Sequence, residues 1–194
     1  INGDARVTVR FVTPDVDRIV LDLIGPSGPT GMQVAAVSDA TQDFAWSQRN
    51  DRLEILLAEP APIGSEQTVR IEYSGVPADG LIISKNLYGD RTFFGDNWPN
   101  RARHWLPTVD HPSDKATVEF SVVAPAVYQI VGSGELVEET DLTDGRRLTR
   151  WRTAVPMATK VMVIGAARFA VQHVDHIQGI PLQSWVYPQN RETG

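Results

Sequence analysis

The chain has 194 residues, a formal net charge of −6 and no cysteine. The acidic balance argues against nucleic acid as a partner, since binding it needs a basic face to displace counterions. The missing thiols exclude disulfides, thiol catalysis and cysteine-ligated zinc, and no run approaches the ~18 apolar residues a membrane-spanning helix requires.

A chain of this length can bury roughly 70% of its unfolded surface, and the mix of apolar and charged residues is that of a globular domain. In chain order, Val7, Val9 and Phe11 alternate with Thr8 and Arg10, the period-2 pattern of a half-buried strand. Thr13-Pro14-Asp15 interrupts it and Arg18–Ile24 resumes, so these two runs are expected to form the first antiparallel pair. Gly25-Pro26-Ser27-Gly28-Pro29 is a turn cluster. Short apolar stretches at Met32–Val37 and Phe44–Ser47 lead to Asn50-Asp51, where both residue types tolerate left-handed φ, and then to the strand Arg52–Leu57.

Gln67–Tyr73 alternates again, with Val69, Ile71 and Tyr73 on one face. Leu81–Ser84 and Thr92–Phe94 read as short strands around Tyr88-Gly89-Asp90. Lys115–Val123 is the most regular strand pattern, with Ala116, Val118, Phe120 and Val122 facing one way. Val127–Val131, Leu148–Thr153, Lys160–Gly165 and Phe169–His173 continue the series, with Thr143-Asp144-Gly145 as a hairpin turn. Short strands broken by Gly, Pro and Asp, with almost no helix signal, predict an all-β sandwich or open barrel of one domain. Ile1 follows no initiating methionine or signal peptide and the chain closes on Trp185 to Gly194 without a finished element, so both ends are expected to lie within a longer product.

The organising stretch is Phe93 to Lys115, FFGDNWPNRARHWLPTVDHPSDK. Pro99, Pro107 and Pro112 lack a backbone donor, so no regular ladder runs through it. It reads as a shaped connection whose large side chains must pack, and long shaped loops in compact domains are usually functional.

Candidate chemistry is thin. His173 and His176 are spaced H-x-x-H, but residues three apart on a strand point to opposite faces, and no Glu follows His173 as in H-E-x-x-H. Asp110 and Asp114 flank His111 as a possible acid/base pair; the competing reading is a turn in which a carboxylate accepts backbone N–H groups ahead of a strand. Gly132-Ser133-Gly134 lacks the rest of a nucleophile elbow. Trp98, Trp105, Trp151 and Trp185 could stack on a sugar or fill a core. No residue set here makes a credible active site or metal site.

Asn97-Trp98-Pro99-Asn100-Arg101-Ala102-Arg103-His104-Trp105-Leu106-Pro107, with Asp110-His111-Pro112 and Lys115-Ala116-Thr117, resembles the A-R-R-x-F-P-x-x-D-x-P-x-x-K-A-T pattern of the N-terminal domain of the aminopeptidase N family of zinc metallopeptidases. Gly132-Ser133-Gly134-Glu135-Leu136 is similar to that family's S-N-G-x-L turn, and Pro156-Met157-Ala158-Thr159-Lys160 through Gly165 to its P-M-[AS]-[TS]-Y-L block. The three blocks recur in order and at similar spacing.

The resemblance implies a saddle-shaped β domain of mostly antiparallel strands over residues 1–186, with 187–194 beginning the linker into a catalytic domain. It implies that this domain packs on its own C-terminal catalytic domain and closes one side of the cleft that receives a peptide N-terminus. Zinc, H-E-x-x-H and G-x-M-E-N belong to that next domain, and neither motif occurs in this sequence. The chain alone is therefore expected to hold no catalytic zinc and to be inactive.

In the family, a Glu or Gln just before A-R-R helps hold the substrate amine; the matching position here is Trp98, so Asp96, Asn97 and Trp98 are the cleft candidates. Arg103, Pro107, Asp110, Pro112 and Lys115 carry the structural part of the motif, with Arg103 expected to pair with a carboxylate or carbonyls under the proline loop. Two other readings stand beside this one: a free-standing β-sandwich module for peptide or carbohydrate, and a scaffold derivative without a catalytic partner.

Overall fold

The computed structural model describes residues 1–193. Its strands are β1 (Asn2–Arg10), β2 (Val16–Asp22), β3 (Gly31–Ser38), β4 (Trp46–Arg49), β5 (Arg52–Ala61) and β6 (Glu66–Val76). They continue with β7 (Leu81–Lys85), β8 (Arg91–Gly95), β9 (Lys115–Ala116), β10 (Glu119–Pro125), β11 (Gln129–Gly132) and β12 (Glu135–Asp141). The last are β13 (Arg146–Arg152), β14 (Met157–Ala158), β15 (Ile164–Ala167), β16 (Ala170–Ile177) and β17 (Ile180–Val186). Three short 3-10 turns, Ala102–His104, Thr159–Val161 and Pro188–Asn190, are the only helical elements among the described residues. The fold is all-β, built of open antiparallel sheets.

The chain divides into two compact units. The first comprises Ile1–Leu81, Asp96–Ala116 and Met157–Met162. It is a sandwich of the sheets β1-β6-β3 and β2-β5-β4. Their inner faces share one core, to which β2 gives Ile19 and Leu21, β5 gives Leu53 and Ile55, and β6 gives Val69, Ile71 and Tyr73. The alternation of Gln67–Tyr73 thus delivers the buried face it predicts, since side chains two apart on a strand lie on one side. Asn50 and Asp51 have φ of 51° and 60° and join β4 to β5, the left-handed pair that matches hairpin twist. Gly3 on β1 leaves room for the ring of Tyr73; a Cβ there would overlap it. The Tyr73 hydroxyl donates to the Trp105 carbonyl at 2.9 Å, and burial holds this phenol well above its ordinary pKa.

The second unit comprises 82–95, 117–156 and the residues from Val163 onward. It contains the sheets β10-β13-β12 and β11-β15-β8-β7 and the ribbon β16-β17. Its core is Ile130, Trp151 and Ala166, joined by Phe93, Val122, Tyr128 and Trp185. Gly145, with φ 78°, closes the β12–β13 hairpin at Thr143-Asp144-Gly145. Gly134 has φ 99° and its Cβ would overlap the Arg152 carbonyl, so glycine in the Gly-Ser-Gly turn before β12 is a backbone requirement. Ser133 Oγ instead accepts from the Val163 N–H at 3.2 Å.

Three expectations are corrected, and two strands were missed. β1 does not pair with β2: it runs against β6 from Asn2↔Ser74 to Arg10↔Glu66, while β2 pairs with β5. Beyond β1, the Phe11 N–H and carbonyl are taken by Ser65 and Gly64, so Thr13-Pro14-Asp15 carries the chain between sheets instead of turning a hairpin. The run Lys115–Val123 is two strands, because β9 pairs with β14 whereas β10 pairs with β13. Lys160–Gly165 is not a strand until Ile164, since Thr159–Val161 forms a 3-10 turn. Finally, β12 and β17 carried no signal: β12 sets Leu136 beside Val137 among glutamates, and Pro181 interrupts β17.

Candidate functional site

The connection from Asp96 to Ala116 belongs to the first unit. With three prolines it has few ladder bonds to offer, so its buried polar groups must find side-chain or isolated backbone partners. Asn97 supplies the first set. It is 1% exposed, and its carboxamide donates to the Thr159 carbonyl at 3.0 Å and the Met162 carbonyl at 2.7 Å. Its oxygen accepts the Trp105 indole N–H at 2.8 Å. The Thr159 carbonyl also accepts the Met162 N–H at 3.0 Å, the bond that closes the 3-10 turn around Lys160, so Asn97 caps this turn from outside. Trp105 is buried by the same contact.

Asp110 supplies the second set. Its carboxylate accepts the Arg103 backbone N–H at 3.1 Å, the Arg103 Nε–H at 3.2 Å and the Thr159 hydroxyl at 2.7 Å. Arg103 Nη2 also donates to the Asp110 carbonyl at 3.2 Å and lies 3.4 Å from Asp22. Asp22 in turn accepts the Asp110 N–H at 3.0 Å, and Asp22 and Thr108 exchange backbone bonds. The guanidinium is thus fixed by a buried carboxylate and by backbone, a charge-assisted arrangement stronger than a surface pair. Both Asp110 oxygens are occupied, which leaves no free acid or base there.

The local turn forms differently from the expected one. The His111 imidazole Nδ1, not a carboxylate, accepts the Ser113 N–H at 3.2 Å. Pro107 is buried behind the 3-10 turn, whereas Pro112, Asp114 and Lys115 are exposed, Lys115 with its backbone paired to β14.

The three cleft candidates separate by orientation. Asn97 faces inward and its carboxamide is fully engaged, so it is not available to a ligand. Its neighbours face out: Trp98 is 62% exposed and Asp96 is exposed. Asp96 holds Arg101 at 3.0 Å, Arg101 also reaches Asp79 at 3.3 Å, and the Asp96 N–H donates to the Gly80 carbonyl. Two carboxylates therefore share one guanidinium beside an exposed indole, a locally negative rim. Asp22, Asp79, Arg101 and Thr159 were not singled out from sequence. Thr159 at least lies in the P-M-A-T-K block, whereas Asp22 sits inside the Arg18–Ile24 strand run and Asp79 in a stretch without pattern.

Other candidates disperse. Trp105 and Trp151 are buried, so the aligned solvent-facing aromatic platform that a carbohydrate module needs is missing from this connection. His173 and His176 are exposed on β16, His173 Nδ1 lying 3.2 Å from Gln183. No group of three or more His, Asp or Glu side chains able to hold a metal occurs among the described residues.

Two outcomes follow. Replacing Arg103 by Ala leaves a carboxylate whose side chain is 1% exposed without its cation. This should cost about 3–5 kcal/mol in thermal or urea unfolding, and an unmoved midpoint would refute the role. His104 has its Nδ1 buried without a hydrogen-bond partner, and desolvation lowers its pKa below the ordinary 6.5. The unfolded chain then takes up this proton first as pH falls, so His104 leaves stability intact above about 6.5 and reduces it below. The melting midpoint should fall less between pH 7.5 and 5.5 in His104→Gln than in the wild type.

With this geometry in place, comparison with known proteins identifies the fold. The family model of the Peptidase M1 N-terminal domain matches residues 1–161. The glutamyl aminopeptidase of Mus musculus is 28% identical over 98 residues, 50% of this chain and 10% of that protein. The human glutamyl aminopeptidase is 28% identical over 99 residues, with the same coverage. Among solved structures, the M1 zinc metallopeptidase of Deinococcus radiodurans superposes with a TM-score of 0.77 and 29% identity, covering 91% of this chain and 40% of that one. The chain thus spans a tenth of those curated relatives and two fifths of the solved neighbour, and it belongs to the family of M1 peptidase N-terminal domains.

Proposed function

We propose that this domain forms one wall of the substrate cleft of a zinc aminopeptidase, packed on a catalytic domain that supplies the metal and the reacting groups. Residues 1–186 act as one β domain in this reading and 187–194 begin the linker, Gly194 lying outside the described residues. In support, the solved neighbour is an M1 zinc metallopeptidase, and a mutant form of it has been crystallised with a Tyr-Ser-Ala substrate.

The observation that carries the reading is the alternation Asp96 out, Asn97 in, Trp98 out. A buried carboxamide pins the middle residue, so its neighbours are presented with little freedom to move, which is what a positioning wall needs. Asp96 and Asp79 with one guanidinium between them leave net negative charge, which draws a peptide's ammonium group. Trp98 cannot accept a hydrogen bond as a Glu or Gln would, but its ring face attracts a cation. In this reading the chain holds and orients the substrate end, and the metal belongs to the catalytic domain. When bound in the catalytic domain, zinc supplies Lewis-acid activation for hydrolysis.

The test is steady-state kinetics of the natural polypeptide carrying both domains. Trp98→Ala should raise KM for small aminoacyl substrates roughly two- to fivefold, the loss of one exposed cation–π contact of about 0.5–1 kcal/mol. Unchanged KM and kcat/KM would place Trp98 among residues that only cover the surface.

A further inference from the structure

Arg101 sits at the centre of a closed ring of contacts in the first unit. Its Nη1 donates to Asp96 Oδ2 at 3.0 Å and to Asp79 Oδ1 at 3.3 Å. Asp79 Oδ1 also accepts the Gly80 N–H at 2.8 Å, and the Gly80 carbonyl accepts the Asp96 N–H at 2.7 Å. The Arg101 N–H closes the ring on the Asn97 carbonyl at 2.8 Å. Gly80 makes this approach possible: its φ is 73°, and a Cβ there would overlap the Arg101 carbonyl. Two carboxylates are thereby held on one guanidinium nitrogen.

The ring therefore carries one negative charge in excess. The basic residues that follow in sequence do not cancel it. Arg103 is outweighed by Asp22 and Asp110, and desolvation keeps His104 below its ordinary pKa, so that it is neutral at pH 7.5.

The excess charge is open to solvent. The Asp96 side chain is 52% exposed and that of Asp79 37%. Among the described residues no hydrogen bond engages Asp96 Oδ1 or Asp79 Oδ2, so each carboxylate keeps one oxygen for a donor from outside. Trp98, two residues from Asp96 and also exposed, adds a ring face that favours cations. The carboxylates and the indole thus agree in the sign of the charge they attract, although they attract it by different means.

We infer that the Asp79–Arg101–Asp96 ring is a charge selector for the first side chain of the substrate, favouring peptides that begin with arginine or lysine over those that begin with glutamate or aspartate. The inference rests on the reading of this domain as one wall of a zinc aminopeptidase cleft. The terminal ammonium group is common to all peptide substrates, so the ring discriminates only through the charge of the side chain beside it. A cationic side chain meets two free carboxylate oxygens and the Trp98 ring. An acidic one brings a third carboxylate to a place already in excess of negative charge, and that repulsion supplies the selectivity. Arg101 sets the size of the bias, because it cancels one of the two charges while holding both carboxylates in place.

The experiment is steady-state kinetics of the natural polypeptide carrying both domains, at pH 7.5 and low salt, on the para-nitroanilides of arginine, leucine and glutamate. The wild type should show a kcat/KM for arginine about tenfold or more above that for glutamate, with leucine between them. Asp96→Asn should cut this ratio roughly three- to tenfold, and Arg101→Gln should raise it by a similar factor. Added salt should compress the ratio in all three proteins. Loss of structure lowers kcat/KM for the three substrates alike, so the ratio reports charge and not folding. A ratio unmoved in both variants, or a wild type that prefers glutamate, would overturn the selector; a KM still raised by Trp98→Ala would then leave the cleft reading standing. If Trp98→Ala, Asp96→Asn and Arg101→Gln all leave kcat/KM unchanged for every substrate, the cleft reading falls and the selector with it.

Discussion

A connection interrupted by proline cannot satisfy its backbone through a ladder, and the fold of the first unit depends on how residues 96–116 meet that constraint. Their solution is to bury two polar side chains and use them as cross-links. Asn97 binds two carbonyls of the 159–162 turn and one indole N–H. Asp110 binds the backbone and guanidinium of Arg103 and the hydroxyl of Thr159. Each group would be costly if left unpaired in the interior, so the network holds as a whole. The same burial places the Trp105 ring where Tyr73 of β6 can reach its carbonyl, which ties the connection to the sandwich core.

This explains why the family motif reads as it does. Arg103, Pro107 and Asp110 are conspicuous in sequence and face inward, so their identities answer to packing and charge pairing. The position three before Arg101 that carries Trp98 faces outward. A substitution there leaves the cross-links beneath it untouched.

Local pattern was legible where one strand face was buried and illegible where partners decided the outcome. Val69, Ile71 and Tyr73 announced β6 through alternation alone, and Asn50-Asp51 announced its turn through left-handed tolerance. The pairing of β1 with β6 instead of β2 depends on contacts some sixty residues apart, and nothing in either strand encodes them. The division of Lys115–Val123 into β9 and β10 is equally hidden, since its alternation runs unbroken while its partners change. Asp96, Asn97 and Trp98 were singled out by motif position alone. That Asn97 alone points inward could not be read from composition, because an Asn near a proline reads as a turn residue. Asp22 and Asp79 were silent for a similar reason: an acidic residue within a strand run or a loop carries no mark of its partner.

The account turns on the claim that Asn97 holds the connection while Trp98, its neighbour, is free to serve a ligand. Thermal unfolding of Asn97→Ala and Trp98→Ala in the same background tests it most directly. Losing the carboxamide removes the bonds to the Trp105 indole N–H and the Met162 carbonyl and one of the two at the Thr159 carbonyl, about 3 kcal/mol, a midpoint drop of roughly 6–12 °C. Removing the exposed indole should move the midpoint by no more than roughly 2 °C. A large loss from Trp98→Ala, or a tolerated Asn97→Ala, would contradict the account.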